Sequence, residues 1–419
     1  MDDPRDVILV TVDSLRADHC GFMGYDGDTT PVLDEVAEDG LVFENAVAPA
    51  GATNGSTPVF MTGEYPVSKP DESVQERVRR HLEARENVAQ RFQRRGYRTG
   101  AFTANPWTSR YFGYDAGFED FEDFFAEDDE TAREEGEKRR ERKNTMLSQV
   151  ISWWEGQDMF MTWEAFYDDV QEWLADARED DRPYFLWLFL VDVHMPYLPP
   201  EGYRSQSQLR SYAGNAMLYA GKTPPMQDWF HDTLVTAYDD TIRYTDEFMD
   251  RLTRDVGPTR ERGGEEDPLI VFHADHGESF GEDDVYGHGR PADEVFHVPL
   301  VVANGPSGRI ESPTSLRRLP ELTVGLATDD EFDPVETYDS PVAVGRTNQP
   351  SWLVRGRDWL YADTPHGERL ERVGRERGPL ENDDLRAVGR SIADQERESA
   401  RERERILDAT TGLGGDGDI

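Results

Sequence analysis

Cysteine occurs once in the 419 residues, at Cys20, so no disulfide can close within the chain and no cysteine-based metal cluster is available. Lysine is almost as scarce, present only at Lys69, Lys138, Lys143 and Lys222. Nearly all of the 45 basic residues are therefore arginine, set against 86 acidic residues, for a formal net charge of −41. A chain this negative is a poor partner for nucleic acid or anionic membrane. No apolar run approaches the roughly 18 residues of a membrane span. The opening Met1-Asp-Asp-Pro-Arg5 has no apolar signal region. A cytoplasmic chain without stable membrane insertion is expected. Acid spread along the whole length, with so little lysine, is the composition of a protein adapted to high salt. Screening there shrinks to about 3 Å at molar ionic strength, so self-repulsion is tolerable.

What is present is a 37% hydrophobic content arranged in alternating strands and helices. Val7 to Val12 reads as a buried strand. Thr30-Pro31 places a cap and an N1 proline before Val32, Leu33, Val36 and Ala37, one face of a helix that Gly40 ends. Leu41 to Ala48 reads as one strand, Val88 to Arg95 as helix and Tyr97 to Thr103 as strand. Trp163, Phe166, Val170, Trp173 and Leu174 mark an amphipathic helix. Pro183 to Val191 is fully apolar, as at the centre of a parallel sheet. A long helix carries Leu234, Tyr238, Ile242, Phe248, Met249 and Leu252, and strands follow at Leu269 to Phe272 and Val298 to Val302. The order predicts a wound α/β domain over residues 1–339, with a charged surface insertion at 127–143. From residue 340 to 419 a smaller α+β unit is expected. It has short strands at Val342 to Val344, Ser351 to Arg355 and Trp359 to Ala362, a polar helix over Leu385 to Leu407 and a flexible tail.

Two apolar strands stop at a carboxylate. One ends at Asp13 in Val10-Thr-Val-Asp13-Ser-Leu-Arg16, the other at Asp275 in Phe272-His-Ala-Asp275-His276-Gly277-Glu278. In a parallel sheet such ends form one crevice, where ligands bind. Aspartate and neutral histidine suit a divalent metal. Thr53 lies in a turn-rich loop, Ala50 to Pro58, that opens a helix, with Ser56 and Thr57 as rival hydroxyls. A metal-bound hydroxyl loses its proton readily and becomes a nucleophile. His194, after the central strand, and His288, in Tyr286-Gly-His288-Gly289, are candidates to bind a substrate oxygen or protonate a leaving group. His273 and His297 are candidates of lower rank. Arg16 is expected to fork onto an anionic substrate oxygen, the alternative being an ion pair with a neighbouring acid.

These segments resemble the sulfatases of the alkaline phosphatase superfamily nearly end to end. The opening through Asp18, Thr29-Thr-Pro31-Val-Leu-Asp34 and Phe43-Glu-Asn45-Ala46 follow that family's start. Thr62-Gly63-Glu-Tyr65-Pro66 is similar to the motif after its nucleophile, and counting back places the nucleophile at Thr53. Asp192-Val-His194-Met-Pro196-Tyr197 resembles its substrate-histidine motif. Tyr238 to Asp246 resembles its helix before the last metal strand, and Asp275 to Glu278, His288-Gly289 and Val298-Pro-Leu300 complete the series.

The resemblance implies an alkaline-phosphatase-like sandwich, a large and mostly parallel central sheet between helices. It also implies an ester hydrolase holding one divalent ion (magnesium, manganese or calcium) on Asp13, Thr53, Asp275 and His276. The chain departs from the formylglycine sulfatases. Thr53-Asn-Gly55-Ser-Thr57 replaces Cys/Ser-x-Pro-x-Arg, and threonine cannot become formylglycine. Ser14 replaces the second aspartate of the family pair. The set of two aspartates, threonine and histidine is closer to threonine-nucleophile relatives such as phosphodiesterases and lipoteichoic acid synthases, in a chain of haloarchaeal-like composition. The implied substrate is a small anionic sulfate or phosphate ester, sugar- or lipid-linked, attacked by Thr53. Transfer to a sugar or lipid acceptor, and a non-catalytic binding protein on the same fold, are the alternatives. A second metal on Asp192, His194 and His288 is a further expectation.

Overall fold

The computed structural model describes residues 4–69, 71–124, 161–220, 227–256, 267–347, 351–374 and 376–411. The charged insertion expected at 127–143 and the tail from 412 lie outside the described residues.

Strands β1 (Val7–Val12), β2 (Leu41–Phe43), β3 (Ala46–Val47), β4 (Arg98–Thr103), β5 (Asp120–Asp123), β6 (Tyr184–Leu190) and β7 (Leu269–Ala274) come first. A hairpin of β8 (Ser279–Phe280) and β9 (Tyr286–Gly287) follows, then β10 (Leu300–Ala303), β11 (Gly308–Ile310) and β12 (Thr314–Ser315). Eight of these form the central sheet in the order β11-β2-β10-β7-β1-β6-β4-β5. Neighbours pair in parallel except where β10 meets β7 and β2, so β10 alone runs against the rest. The sheet is large and mostly parallel, as expected. β6 is buried along its whole length, which a strand covered on both faces by helices requires. Each fully buried Leu or Phe there contributes about 1.5–3 kcal/mol.

Polar atoms inside this sheet are satisfied across strands. Trp187 Nε1 donates to Thr11 Oγ1 at 3.1 Å, and Thr11 Oγ1 lies 2.9 Å from His273 Nε2. His273 is therefore a core histidine, and burial lowers its pKa to about 4. His297 is likewise spent on the backbone, its Nε2 2.9 Å from the Glu44 carbonyl. The strand expected over Leu41 to Ala48 is broken at Glu44 and Asn45. There Glu44 N–H turns to Ile310 O and the Asn45 amide donates to Glu311 O, sending β3 off to pair with β12 in a separate ribbon.

Helix α1 (Pro31–Asp39) starts at the N1 proline and buries Leu33 and Ala37. Helix α2 (Thr53–Thr62) begins at Thr53 itself. The amphipathic segment is helical over Tyr167–Glu179, preceded by a short turn Trp163–Ala165 that holds the first predicted apolar residue. The long helix is Gln227–Asp255. Val74–Ala84 adds a helix closed by a reciprocal cap between Ser73 and Glu76, with no counterpart in the sequence reading.

After residue 340 the chain forms an antiparallel sheet of five strands: β13 (Ala343–Arg346), β14 (Trp352–Arg355), β15 (Trp359–Thr364), β16 (Gly367–Arg372) and β17 (Gly378–Pro379). Helix Asp383–Thr411 follows, and its Ala393 packs with Trp352, Val354, Trp359, Tyr361 and Leu370. The sheet is tied to the core at several points, two of them close to the site. Arg346 N–H donates to Pro49 O at 2.9 Å. The buried Arg355 reaches Asp293 at 2.7 Å and Asn45 at 2.6 Å. Among the described residues no helix is long and apolar enough to cross a membrane.

Candidate metal and nucleophile site

The register of the parallel strands assembles the site. Val12 pairs with Ala274 on one side and Leu190 on the other, and Phe189 pairs with Thr103. The residues after each strand, Asp13, Asp275, the Asp192–His194 segment and Asn105, therefore leave the sheet at one edge and one level. This is the crevice at the carboxyl ends of parallel strands. Asp13 N–H and Asp275 N–H continue the ladder to Leu190 O and Val12 O before the chains diverge. Ser14 then takes a positive φ of 64°, a left-handed turn that a non-glycine residue adopts under constraint. The constraint is visible. Ser14 N–H donates to Asp275 Oδ1 at 3.2 Å, and its carbonyl accepts from Tyr238 Oη at 2.7 Å.

Asp13, Asp275 and His276 bring one donor atom each within 4.8 Å of one another, all buried. His276 Nε2 is 3.4 Å from Asp13 Oδ1 and 3.6 Å from Asp275 Oδ2. Its Nδ1 lies 2.9 Å from Gly277 O, which places a hydrogen on that nitrogen and leaves the Nε2 lone pair facing the carboxylates. Gly277 is required by proximity. A Cβ there would stand 2.2 Å from Glu294 O.

Thr53 Oγ1 completes the group, 3.4 Å from His276 Nε2 and 3.5 Å from Asp13 Oδ2. The rival hydroxyls point elsewhere. Ser56 Oγ donates to Asp275 O at 2.6 Å, and Thr57 Oγ1 is buried without a partner in the helix. Asn105 was not singled out in the sequence, yet its amide donates to Asp13 Oδ2 at 2.6 Å. Its signal was its place just past the strand read at Tyr97 to Thr103.

The donor set fits a divalent cation. Two buried carboxylates face each other, and Asp275 Oδ2 has no hydrogen-bond partner. Burial and the nearby Asp13 charge push Asp275 well above the carboxylate range. Burial, helped by His288, lowers His276 to about 4, so its imidazole is neutral and able to ligate.

His288 and His194 flank the site. The His288 ring centroid is 4.5 Å from that of His276 and 5.6 Å from that of His194. Burial opposes the His288 charge, but the Glu278 carboxylate beside it prevails and raises it to about 9. Burial likewise opposes the Glu278 charge, and His288 outweighs it, lowering that carboxyl group.

Two expectations are corrected. Arg16 does not present its fork to the site. Nε and Nη2 are bound bidentately to Asp18 at 2.8 Å each, and Nη1 donates to Glu278 O and Glu282. The ion pair wins because the side chain is buried and its acids are adjacent in sequence and on the turn after β8. The second metal set does not assemble either. Asp192 is half-buried and turns back to accept from Trp163 N–H at 3.2 Å, and it does not group with His194 and His288. Among the described residues only Asp13, Asp275 and His276 group as a metal site.

The sulfatase family model matches residues 5–309. The ulvan-active sulfatase of Formosa agariphila is 21% identical over 421 aligned residues, spanning 88% of this chain and 75% of that protein. Phosphoethanolamine transferase EptA of Helicobacter pylori is 34% identical over 80 residues, only 18% of this chain and 14% of its own length. Among solved structures, a 2-O GAG sulfatase superposes with a TM-score of 0.66 at 17% identity, covering 96% of this chain and 94% of that one. The phosphonate monoester hydrolase of Agrobacterium radiobacter gives 0.59 at 17% identity, covering 97% and 96%. The family match shows that the chain belongs to the sulfatase family, a family of ester hydrolases, and the solved structures show an alkaline-phosphatase-like fold.

Proposed function

We propose that this protein cleaves sulfate or phosphate esters with Thr53 as nucleophile. The observation that carries the reading is the Thr53 hydroxyl, 3.4–3.5 Å from His276 and Asp13 and at the first turn of α2. Asp13, Thr53, Asp275 and His276 would hold one divalent ion. When bound, such an ion lowers the pKa of the threonine hydroxyl and draws charge from the ester oxygens. Thr53 releases its hydroxyl proton to solvent, and its Oγ1 forms a bond to the sulfur or phosphorus as the bond to the leaving oxygen breaks. His194 or His288 supplies the proton that makes the leaving group an alcohol. Water then attacks the Thr53 ester, releasing sulfate or phosphate and restoring the hydroxyl and the histidine proton. The positive end of α2 and the two histidines hold the anion in a chain of −41 charge, since Arg16 is engaged elsewhere. We place the catalytic unit at residues 1–339 and assign the protein to the cytoplasm of a high-salt organism.

The test is a screen of sulfate and phosphate mono- and diesters in molar salt with magnesium, manganese, calcium or zinc, run on the full chain and on Thr53→Ala. Turnover that the variant lacks supports the reading. Equal turnover in both moves the nucleophile to another group, and none in either leaves a binding protein. A second reading is transfer to an acceptor alcohol. It is favoured by a threonine where formylglycine precursors stand and by the local similarity to a phosphoethanolamine transferase. Transfer products on addition of simple alcohols would select it.

A further inference from the structure

We propose that Glu278, itself anchored by Tyr197, is a positioning residue that turns the His288 imidazole into the crevice, toward the leaving oxygen of the ester. This rests on the ester-cleaving reading of the site. In the β8–β9 hairpin Ser279 pairs with Gly287, so the next step of the antiparallel ladder sets Glu278 beside His288. Their side chains meet there. His288 Nδ1 lies 3.2 Å from Glu278 Oε1 and 3.4 Å from Oε2. Glu278 is fully buried, and a buried carboxylate persists only with partners that offset its lost hydration. It has two. The other is Tyr197 Oη, which donates to Oε2 at 3.1 Å. Tyr197 is fixed in turn by Asn215, which accepts from Tyr197 N–H at 2.9 Å and donates to Tyr197 O at 3.0 Å. A chain of four residues from three segments thus ends on one imidazole. With the Nδ1 hydrogen committed to Glu278, Nε2 is left for the crevice, where the ring already packs on His276. Neither Glu278 nor Tyr197 contacts the reacting atoms; both act through His288.

The test compares two esters of one acid, a nitrophenyl ester that needs no proton to leave and an alkyl ester that does. It uses metal-loaded full chain, Glu278→Gln and Tyr197→Phe. The proposal expects kcat for the alkyl ester to fall about 10²-fold in Glu278→Gln and less in Tyr197→Phe. It expects metal content and nitrophenyl ester kcat to stay within about threefold, since that leaving group needs no proton. Equal losses on both esters, or none, would overturn it. A second measurement does not need activity. In protein labelled with ¹⁵N-histidine, the Nδ1 resonance of His288, assigned by its loss in His288→Gln, should shift in Glu278→Gln. An unmoved resonance overturns the proposal. If wild-type protein cleaves no ester while the resonance moves, the ester-cleaving reading fails and the pairing stands as geometry alone.

Discussion

Thr53 Oγ1 and Asp13 Oδ2 lie 3.5 Å apart although forty residues separate them in the chain. Thr53→Ala should therefore abolish turnover, by at least about 10³-fold for loss of a nucleophile. Its melting temperature should stay near that of the parent, because only a methyl group and a hydroxyl with long contacts change. Thermal melts beside ester hydrolysis check both halves.

Metal removal should destabilise the parent protein. A cation at a hundred times its dissociation constant adds about 2.7 kcal/mol to the folded state. In Asp275→Asn that gain should vanish, while the metal-free form melts above the metal-free parent, since the repulsion with Asp13 is relieved. Melting curves with chelator and with excess magnesium or manganese decide this. A metal gain undiminished in the variant would remove Asp275 from the ligand set.

Arg16→Gln should act on stability, not substrate affinity. It removes the buried guanidinium from Asp18 and Glu282, a loss of about 1.5–3 kcal/mol, below the cost of breaking a fully buried pair because both carboxylates keep contact with water. Urea titration and KM measured on the same preparation separate the two effects. A tenfold rise in KM at unchanged stability would return Arg16 to the substrate.

Asp192 makes stability depend on pH. Burial raises it from the ordinary 3.8 to about 7, and one of its oxygens is buried without a partner. Below pH 4 both folded and unfolded chains hold the proton, and between about 4 and 7 only the folded one does. The slope of unfolding free energy with pH is then negative, so stability from this group is lost as pH rises through that window. The loss is at most roughly 4 kcal/mol for a shift of that size. Asp192→Asn should gain on the parent between pH 5 and pH 8 in denaturant titrations. A constant difference across that range would contradict the assignment.

The strand-end aspartates, Thr53 and the apolar β6 were legible because burial and chain order leave local marks. A hydrophobic run ending in a carboxylate needs no partner to be noticed. Asn105 left no such mark, since an asparagine after a strand reads as a turn until the neighbouring strand brings Asp13 to it. Arg16 and Asp192 failed for the same reason. A charged side chain takes the partner that three-dimensional proximity offers, Asp18 and Glu282 for one and the Trp163 amide for the other. The helix Val74–Ala84 went unread because its exposed face is charged and its apolar residues are few.

The bond from Arg346 to Pro49 reaches the strand-to-helix turn just ahead of Thr53, and Arg355 spans from the late sheet to Asn45 and Asp293. The late sheet thus serves as a splint for the turn that carries Thr53. A gene shortened after codon 339 should yield protein in which Thr53 wanders, whatever remains of the eight-stranded scaffold beneath it.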